Sequence, residues 1–440
     1  MIEQILKEND LSKKQALIEE SLLNEIPHVN PFLYATDSYK VSHIRFETSG
    51  VKEIYSNFTP RFAKHLQTLL GQAYDDKYVV FGVQWMLLRL HMMAKVAFFD
   101  KPKKEVIEQM KKVHSKYIGN NDFDHFEKLH DLGYLPIHVK TLDEGSVVNV
   151  GVPFLTIRNT LPEFEWLPNF LETIISTDLW KQLTVATIGR AYRMVTDKYA
   201  LETTGNTDLA LFQNHDFSCR GQAGFESSAI VGLSFLLSSC GTDNIPALWA
   251  AEKFYFSTND QDLLAGSVPA GEHSVTTSGI LTEKERNGEI SLDQAELLYA
   301  KNILCEKFPT GIVSYVADSY DYWSFVKNIL PPLKNEIMSR DGKFVVRGDS
   351  GDPVHIIAGY EIQDITNMSY TSIDEALNWS HLWLNPETEV VKYGTQYVKL
   401  NTSYCRDGSI EGFNDEYITK EEAEGTIAIL YEIFGGEIND

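Results

Sequence analysis

The chain of 440 residues has an ordinary globular composition, 43% hydrophobic and 23% charged, and is long enough for two domains or one large domain with additions. Its formal net charge of −23 argues against a general nucleic-acid binder, because such proteins present clustered Lys and Arg to the phosphates. The four cysteines are widely spaced, which argues against a disulfide framework or a zinc site and favours the reducing cytoplasm.

Five regions are predicted in chain order from changes in the hydrophobic pattern. They are an N-terminal helical extension (1–28), an α+β domain (29–165), an α/β barrel domain (166–359), an insertion (360–418) and a terminal barrel helix (419–440). The barrel domain is predicted because short apolar strands alternate there with helices. The predicted fold class is therefore α/β, an irregular (β/α) barrel preceded by an α+β domain.

Two helices, at about 78–99 and 104–131, are predicted in the α+β domain. The first contains the most apolar segment of the chain, VVFGVQWMLLRLHMMAKVAFF. Because Gln84, Arg89 and Lys95 interrupt this segment, we interpret it as a buried helix and expect no membrane span.

Three strands of the barrel domain are predicted to run into acidic residues. LALFQNHDF leads to Asp216, GIVSYVADSYD to Asp318 and KFVVRGDSGDP to Asp349. An α/β barrel presents its reactive groups at the carboxyl ends of its strands, so these acids mark the candidate site. Beyond them, the insertion mixes aromatic and polar residues, which indicates partly β structure. The last helix opens with a Thr419–Glu422 capping box.

The segment GSVPAGEHSVTTSG, residues 266–279, places Glu272 and His273 among small neutral side chains. We interpret it as a thin loop that leaves the imidazole accessible; the plainer alternative is a histidine satisfied in the core or at the surface. A metal ligand is disfavoured because no second ligand lies at suitable spacing. A histidine nucleophile or acid–base needs a carboxylate to hold its tautomer, and Asp318 and Asp349 are candidates.

The cluster VVRGDSGDP contains Arg347, Asp349 and Asp352. Its plain interpretation is a tight Asp-Gly turn that closes a strand. The functional alternative is an anion held by Arg347, with the two acids binding Mg²⁺ or a sugar hydroxyl.

The segments NHDFSCRGQAG and CGTDN supply three more candidates. Phe217 is either a core residue or a flat platform for an aromatic ligand. Arg220 is predicted at a helix N-terminus, which favours phosphate, and Asp243 is either an ordinary turn residue or a ligand contact. Taken together, the clusters indicate a site for a phosphorylated sugar, a flat ring and a divalent metal.

Six motifs occur in the order and rough spacing of a known family: ATDSYKVSH, HDFSCRG, GTD, SVPAGEHS, ADSYD and RGDSGDP. On these motifs, which span residues 35–353, the chain resembles the nicotinamide phosphoribosyltransferase family. The resemblance implies a homodimeric type II phosphoribosyltransferase that joins nicotinamide to phosphoribosyl pyrophosphate with Mg²⁺. The products would be nicotinamide mononucleotide and pyrophosphate, as part of NAD salvage.

The resemblance also implies roles for individual residues. Phe217 would stack on one face of the pyridine ring and Tyr39 of the second subunit on the other, while Asp243 would accept a hydrogen bond from the carboxamide. A carboxylate in that place repels nicotinate and so favours the amide substrate. The remaining substrate contacts would be Asp37 in the first motif, Arg220 and Arg347 at phosphate and ribose, and Arg61 near the pyrophosphate.

His273 is similar to the family's histidine that ATP phosphorylates, a step that drives the synthesis without being strictly required. Asp318 would orient the imidazole and stabilise its charge, and Glu272 would assist. Asp349 would stabilise positive charge on the ribosyl ring as pyrophosphate leaves. ATP is therefore an optional co-substrate, and Asp352 is the candidate Mg²⁺ ligand.

The family's chain continues beyond the last helix seen here, through a GDG-type segment and a glycine-rich phosphate-binding loop. We therefore expect a barrel that is incomplete at its C-terminal end, with a second polypeptide or a longer chain completing it. Two alternatives to the nicotinamide enzyme remain: a nicotinate phosphoribosyltransferase, and a non-catalytic ligand-binding or regulatory subunit.

Overall fold

A computed structural model describes residues 10, 12–13, 32–71, 74–119, 122–257, 263–369, 372–380, 384–404, 410–413 and 415–435. The predicted N-terminal extension lies outside these ranges except at residues 10 and 12–13, and Cys405 also lies outside them. The chain divides into two compact units, Met1–Ser267 (unit 1) and Val268–Asp440 (unit 2). The finer domain boundaries inferred from the sequence stay predictions.

Unit 1 is a mixture of helices and short strands. Its helices are α1 (Lys64–Leu70), α2 (Val83–Ala94), α3 (Lys103–Tyr117), α4 (Asp124–Leu132), α5 (Leu167–Thr204), α6 (Ala210–Gln213), α7 (Phe225–Phe235) and α8 (Ile245–Tyr255). It also has 3₁₀ turns at Ser38–Arg45, Pro162–Phe164 and Cys219–Gly221, and a π-helix at Lys95–Phe99. Its strands are β1 (Tyr55–Phe58), β2 (Lys77–Val79), β3 (Ile137–Thr141), β4 (Val147–Asn149), β5 (Leu155–Asn159), β6 (His215–Asp216) and β7 (Gly241–Thr242).

The core of unit 1 joins an antiparallel sheet to the long helix α5. In that sheet β5 lies between β1 and β3, and β2 pairs separately with β4. Leu155 and Ile157 from β5 belong to the same buried cluster as Phe170 and Ile174 from α5. The buried residues of α5 lie between Leu167 and Ala191, whereas Tyr199 near its end is 55% exposed. The parallel pair β6 and β7 belongs to the same unit.

The predicted helices at 78–99 and 104–131 need correction. The first begins later, because residues 77–79 pair with β4 and Gly82 has a φ of +93° that no α-helix contains. A Cβ atom at Gly82 would lie 2.5 Å from Gln182, so only glycine fits there. The helix predicted at 104–131 is divided into two helices, α3 and α4. Helix α2 is buried along much of its length, as predicted.

The strand predicted from LALFQNHDF is also wrong in most of its length. Residues 210–213 form a helical turn, and only His215 and Asp216 pair as a strand. Leu211 and Phe212 are 37% and 42% exposed, so this apolar run does not fill a sheet interior. A short apolar run has no periodicity that separates a strand from a helical turn.

Unit 2 has its own helices and sheets. Its helices are α9 (His273–Asn287), α10 (Leu292–Asn302), α11 (Tyr322–Ser324), α12 (Lys334–Ser339), α13 (Pro353–Ala358), α14 (Ile373–Ser380) and α15 (Lys420–Phe434), with π-helices at Ile303–Lys307 and Phe325–Ile329 and a 3₁₀ turn at Pro331–Leu333. Its strands are β8 (Val313–Val316), β9 (Phe344–Arg347), β10 (Ile362–Asp364), β11 (Val390–Tyr393), β12 (Gln396–Lys399), β13 (Thr402–Tyr404), β14 (Ile410–Phe413) and β15 (Glu416–Ile418).

The parallel pair β8 and β9 forms the centre of unit 2. All four residues of β8 are buried, and Tyr315 packs with Phe325 and Leu304 in one cluster. Asp318 and Asp349 each follow two residues after the end of their strand, as the sequence predicts. Strands β10, β11, β12 and β15 form a separate four-stranded sheet within residues 360–418.

Helix α15 begins and ends at the predicted signals. The Thr419 hydroxyl accepts a hydrogen bond from the Glu422 amide at 3.1 Å, and Gly435 ends the helix in the left-handed region. Gly425, with a φ of +80°, kinks the helix between these ends.

The fold is mixed α/β, as predicted, and the strands of the described residues form six sheets. The irregular barrel arrangement stays a prediction. Within the described ranges, no helix is both long and apolar enough to cross a membrane. Cys219, Cys240 and Cys305 are free thiols.

Candidate functional site

In unit 1, Phe217 and Asp243 follow directly on the two parallel strands β6 and β7. The Phe217 ring is 56% exposed, so it is not a core residue. His215 lies between the two: its ring centroid is 4.7 Å from that of Phe217, and its Nε2 is 3.3 Å from Asp243 Oδ1. The unit therefore presents a flat apolar face, an imidazole and a carboxylate side by side.

The Asp243 carboxylate is reachable from solvent, because its side chain is 36% exposed. The Ser267 hydroxyl donates a hydrogen bond to Asp243 Oδ1. His215 Nε2 lies near Asp243 Oδ1, but it is buried and makes no aligned hydrogen bond in the described structure. Asp243 can thus accept a further hydrogen bond from a ligand.

Two buried side chains anchor the loops that carry Phe217 and Asp243. Asp216, 7% exposed, accepts from the Ser218 amide at 2.8 Å and from Asn244 Nδ2 at 3.2 Å. Asn244, fully buried, also donates to the Ser228 carbonyl at 2.9 Å. Hydrogen bonds between buried polar groups fix geometry, so the bonds of Asp216 and of Asn244 Nδ2 preorganise this edge of unit 1, while Asn244 Oδ1 has no hydrogen-bond partner in the described structure.

The predicted substrate residue Arg220 is exposed, but it is not at a helix N-terminus as expected from the sequence. It lies in the 3₁₀ turn Cys219–Gly221, and α7 begins only at Phe225. Gly224, with a φ of +94°, turns the chain before the helix. Arg61 is exposed in the segment after β1.

Asp37 and Tyr39 lie at the start of the 3₁₀ turn Ser38–Arg45. Asp37 Oδ2 accepts a hydrogen bond from the Thr173 hydroxyl at 2.6 Å, which ties this turn to α5. The Tyr39 ring is 55% exposed, with its centroid 5.0 Å from the ring of His43. An exposed aromatic ring on an anchored turn is available to a ligand or a second chain.

In unit 2, His273 is the first residue of helix α9, so the predicted loop at 266–279 is a helix from this point on. The small residues also have a packing reason, because a Cβ atom at Gly279 would lie 2.2 Å from the Tyr299 ring. The imidazole remains accessible, with 44% of the side chain exposed. A histidine at the N-terminus of a 15-residue helix is in a place that favours phosphate.

His273 is flanked by two carboxylates. Its Nε2 is hydrogen-bonded to Asp318 Oδ1 at 3.1 Å, and its Nδ1 is 3.9 Å from Asp349 Oδ2. Asp318 is 7% exposed and Asp349 52% exposed. The structure therefore joins the three unit 2 residues that the sequence predicts to converge.

Asp318 is held as a carboxylate. Burial raises the pKa of its carboxyl, but hydrogen bonds from the Ser350 side chain and the Asp349 amide, together with His273, outweigh burial, and the pKa lies below its ordinary value. The Asp349 amide bond to Asp318 Oδ2 is 3.0 Å long. Because a carboxylate can only accept a hydrogen bond, the bond to Asp318 requires a proton on His273 Nε2, and in the neutral imidazole the lone pair then lies on Nδ1.

Arg347 contacts the backbone two residues before His273, and Glu272 directly precedes His273 in the chain. Arg347 Nη2 donates to the Gly271 carbonyl at 3.2 Å, and its buried Nε makes no hydrogen bond in the described structure. Gly271 in turn donates to the Ser314 carbonyl of β8 at 3.0 Å. Glu272 is the N-cap residue of α9 and accepts a 2.6 Å hydrogen bond from the Ser274 hydroxyl.

Asp352, the candidate Mg²⁺ ligand, caps helix α13. Its Oδ1 accepts from the amides of Val354 at 2.9 Å and His355 at 3.4 Å. In the part of the chain that the structure describes, no group of three or more His, Cys, Asp and Glu side chains is arranged to hold a metal ion. The role of Asp352 stays a prediction.

Four residues of these two clusters, one cluster in each unit, were not predicted from the sequence: His215, Asn244, Ser267 and Ser350. His215 lies two residues before Phe217, so its motif was noticed without its contact to Asp243. The other three act through hydrogen bonds across the fold, for which sequence spacing gives no signal.

Two family models match the chain. Residues 31–139 match the N-terminal domain of nicotinamide phosphoribosyltransferase, and residues 212–377 match the nicotinate phosphoribosyltransferase family. This chain also aligns with a crystal structure of human nicotinic acid phosphoribosyltransferase. The alignment covers 88% of this chain and 81% of that chain, with 15% sequence identity and a TM-score of 0.46.

Curated relatives agree with these models. The nicotinamide phosphoribosyltransferase of Acinetobacter baylyi is 39% identical over 342 residues, which are 75% of this chain and 64% of that protein. The enzyme of the same name from Mycoplasma pneumoniae is 29% identical over 338 residues, which are 73% of this chain and 66% of that protein. The chain thus spans just under two thirds of the length of these relatives. On both family models and these relatives, residues 31–139 and 212–377 carry the two characteristic domains of the nicotinamide and nicotinate phosphoribosyltransferases.

Proposed function

We propose that the chain transfers the phosphoribosyl group of phosphoribosyl pyrophosphate to nicotinamide, giving nicotinamide mononucleotide and pyrophosphate for NAD salvage. The observation that carries this proposal is the trio Phe217, His215 and Asp243 at one edge of unit 1. A half-exposed phenyl ring beside an accessible carboxylate suits a flat ring that carries an amide N–H. Nicotinate would bring a second carboxylate against Asp243 and be repelled.

In the proposed reaction the ring nitrogen of nicotinamide attacks C1′ of the ribose. The bond between C1′ and the pyrophosphate oxygen breaks, the electron pair leaves with pyrophosphate, and no proton has to move. Positive charge develops on the ribosyl ring, and we assign its stabilisation to the half-exposed Asp349 carboxylate. Arg61, Arg220 and Arg347 are the proposed contacts of pyrophosphate, phosphate and ribose, with Asp37 as a further substrate contact.

We further propose that ATP phosphorylates His273 at Nδ1. Asp318 holds the Nε2 proton, so the lone pair of Nδ1 is free to form the phosphorus–nitrogen bond as ADP leaves. The α9 N-terminus stabilises the phosphoryl group. Glu272 is proposed to assist from the N-cap position.

The donor set of unit 2 fits Mg²⁺ that is held mainly by a substrate. Mg²⁺ in such sites takes one or two protein carboxylates and fills its other positions with phosphates and water. The Asp349 side chain is exposed enough to reach such an ion, and Asp352 is the second candidate ligand. When bound, the ion neutralises the charge of the phosphate groups.

The proposal includes a cytoplasmic homodimer. The free thiols Cys219, Cys240 and Cys305 support a reducing compartment. The exposed Tyr39 ring on its anchored turn supports the stacking role from a second subunit. A nicotinate-specific enzyme and a ligand-binding subunit without turnover are the competing functions.

The test is a turnover assay with Mg²⁺ and phosphoribosyl pyrophosphate, offering nicotinamide or nicotinate, with and without ATP. We expect nicotinamide mononucleotide as the main product, and we expect Asp243→Ser to reduce the preference for nicotinamide. Asp208→Ser, a change on an exposed turn of the same unit, is the control. No product from a folded sample would refute activity of this chain, and unchanged selectivity in Asp243→Ser would refute the amide contact.

A further inference from the structure

A charged network in unit 1 lies outside every residue assigned so far. Arg89 on α2, Asp178 on α5 and Glu226 on α7 join three helices. The Arg89 side chain is only 10% exposed; its Nε is 3.1 Å from Asp178 Oδ2 and its Nη1 is 2.7 Å from Glu226 Oε1. Together with Trp85 and Lys181, the three side chains line a cavity of about 260 Å³.

Stability alone does not explain this network. Buried ion pairs stabilise a fold weakly or not at all, because desolvation offsets their attraction. Here one guanidinium faces two carboxylates, and neither Arg89 Nε nor Asp178 Oδ2 makes an aligned hydrogen bond in the described structure. Burial, together with the charge of Glu226, raises the pKa of Asp178 to about 6 despite the nearby arginine.

The network is bonded to the first turn of helix α7. Glu226 lies in the first turn of that helix, so its bond to Arg89 ties the turn to α2. From α5, Lys181 Nζ donates to Ser227 Oγ at 2.7 Å and to Gln222 Oε1 at 3.3 Å. Two cationic side chains from two other helices therefore hold the same turn and the residues before it.

This turn is connected to the loop that carries Phe217 and Arg220. The Ser228 hydroxyl, one turn into α7, donates to the carbonyls of Cys219 at 3.0 Å and Gly224 at 3.1 Å. A shift at the start of α7 would therefore move residues 217–224, which we name the substrate loop. Exposed loops depend on such anchors because they bury few side chains of their own.

We propose that Arg89 and Glu226 are positioning residues that hold the substrate loop through the first turn of α7, with Asp178 as the proton-binding member of the network. The inference rests on the proposed function for the identity of the substrate. The charged groups that face Asp178 are Arg89 from α2, Glu226 from α7 and Lys181 on α5 itself. A proton on Asp178 removes one of the two partners of Arg89, so the network is linked to pH.

Glu226→Ala is the test variant, because the side chain is half exposed and alanine suits the first turn of a helix. Glu252→Ala is the matched control: Glu252 is 55% exposed, lies on α8 and accepts a 2.9 Å bond from Lys253. In Glu226→Ala we expect faster amide hydrogen exchange in residues 217–224 and a KM for nicotinamide about tenfold higher, with a smaller change in kcat. The control should match the unaltered protein.

A second measurement detects the protonation of Asp178. Trp85 and Trp180 border the cavity, so tryptophan fluorescence should change with a midpoint near pH 6. Asp178→Asn should abolish this transition. Glu226→Ala should move it to lower pH, because the charge of Glu226 raises the pKa of Asp178. A role confined to stability would leave the KM unchanged.

Unchanged exchange in the substrate loop and an unchanged KM in Glu226→Ala would overturn the positioning role. A fluorescence transition that persists in Asp178→Asn would overturn the proton assignment. If the unaltered protein makes no nicotinamide mononucleotide, the proposed function fails, whereas exchange and fluorescence still decide whether the network holds the loop.

Discussion

Two carboxyl groups of unit 2 are both removed from water, yet their pKa values are shifted in opposite directions. Asp318 is 7% exposed, and its oxygens accept from His273 at 3.1 Å and from the Asp349 amide at 3.0 Å. Glu296 is fully buried, its Oε1 accepts from the Tyr315 hydroxyl at 3.3 Å, and its Oε2 has no hydrogen-bond partner in the described structure.

The hydrogen-bond donors decide the difference. Burial raises the pKa of both carboxyls, but donors outweigh burial at Asp318 and keep its pKa below the ordinary value. At Glu296 burial dominates, Asp293 and Asp321 add negative charge nearby, and the pKa rises to about 7. Unit 2 thus keeps one acid charged at its accessible edge, while another acid in its core keeps its proton up to about pH 7.

The largest expected effect comes from Asp318→Asn, which removes the charge that orients His273. We expect the stimulation of synthesis by ATP to fall about 100-fold, because the imidazole loses the acceptor that sets its tautomer. Asp321→Asn, on the same loop but without a bond to His273, is the control. Equal losses in both variants would show that the loop, not the Asp318 charge, matters.

Glu296→Gln tests the other carboxyl. Its pKa of about 7 exceeds the ordinary 4.5, so the folded protein keeps a proton that the unfolded chain releases, and stability falls as pH rises through this range. Glutamine removes this penalty, so we expect the variant to be more stable than the unaltered protein at pH 8.5, by at most about 3 kcal/mol, and similar at about pH 4, below both pKa values of Glu296.

Urea unfolding at both pH values measures this effect, with Glu285→Gln on the exposed face of α9 as the control. If Glu296→Gln has the same pH dependence as the unaltered protein, Glu296 is ionised in the fold and the comparison fails.

Ser350→Ala tests whether hydrogen-bond donors keep the pKa of Asp318 low. The Ser350 side chain is a donor that lowers the Asp318 pKa, so its removal raises that pKa and the carboxylate is lost at a higher pH as the solution is acidified. We expect the low-pH side of the pH profile of the ATP-stimulated rate to move to higher pH. On that side the rate should be about fivefold lower than in the unaltered protein, because one hydrogen bond contributes about 1 kcal/mol. A pH profile superimposable on that of Ser339→Ala would contradict this.

Tyr315→Phe has the smallest expected effect. It removes a hydroxyl that favours the ionised form of Glu296, so the pKa of Glu296 should rise further. We expect a loss of about 1 kcal/mol in the free energy of unfolding at pH 8.5 and a smaller loss at pH 5.5. Tyr299→Phe is the control, and equal losses at both pH values would indicate packing alone.

The strand ends show how far sequence reasoning reached. Asp318 and Asp349 follow β8 and β9 as predicted, because both short apolar runs, VSYV and FVVR, are rich in β-branched and aromatic residues and lie between turn signals. The segment before Asp216 was predicted wrongly, because its apolar residues are partly exposed in a helical turn. The loop prediction for residues 266–279 missed that small side chains also let α9 pack closely on Tyr299.

The sequence by itself determined the α/β class, the family, and the identity of His273, Asp318, Asp349, Phe217 and Asp243 as candidates, because these depend on local pattern and motif. Only the tertiary structure decided which atoms meet: Asp318 on Nε2 of His273, His215 beside Asp243, and Arg89 between two acids. Burial and hydrogen-bond donors set whether each acid is charged, and both arise from residues far apart in the chain. Charge at a site is therefore a property of the fold.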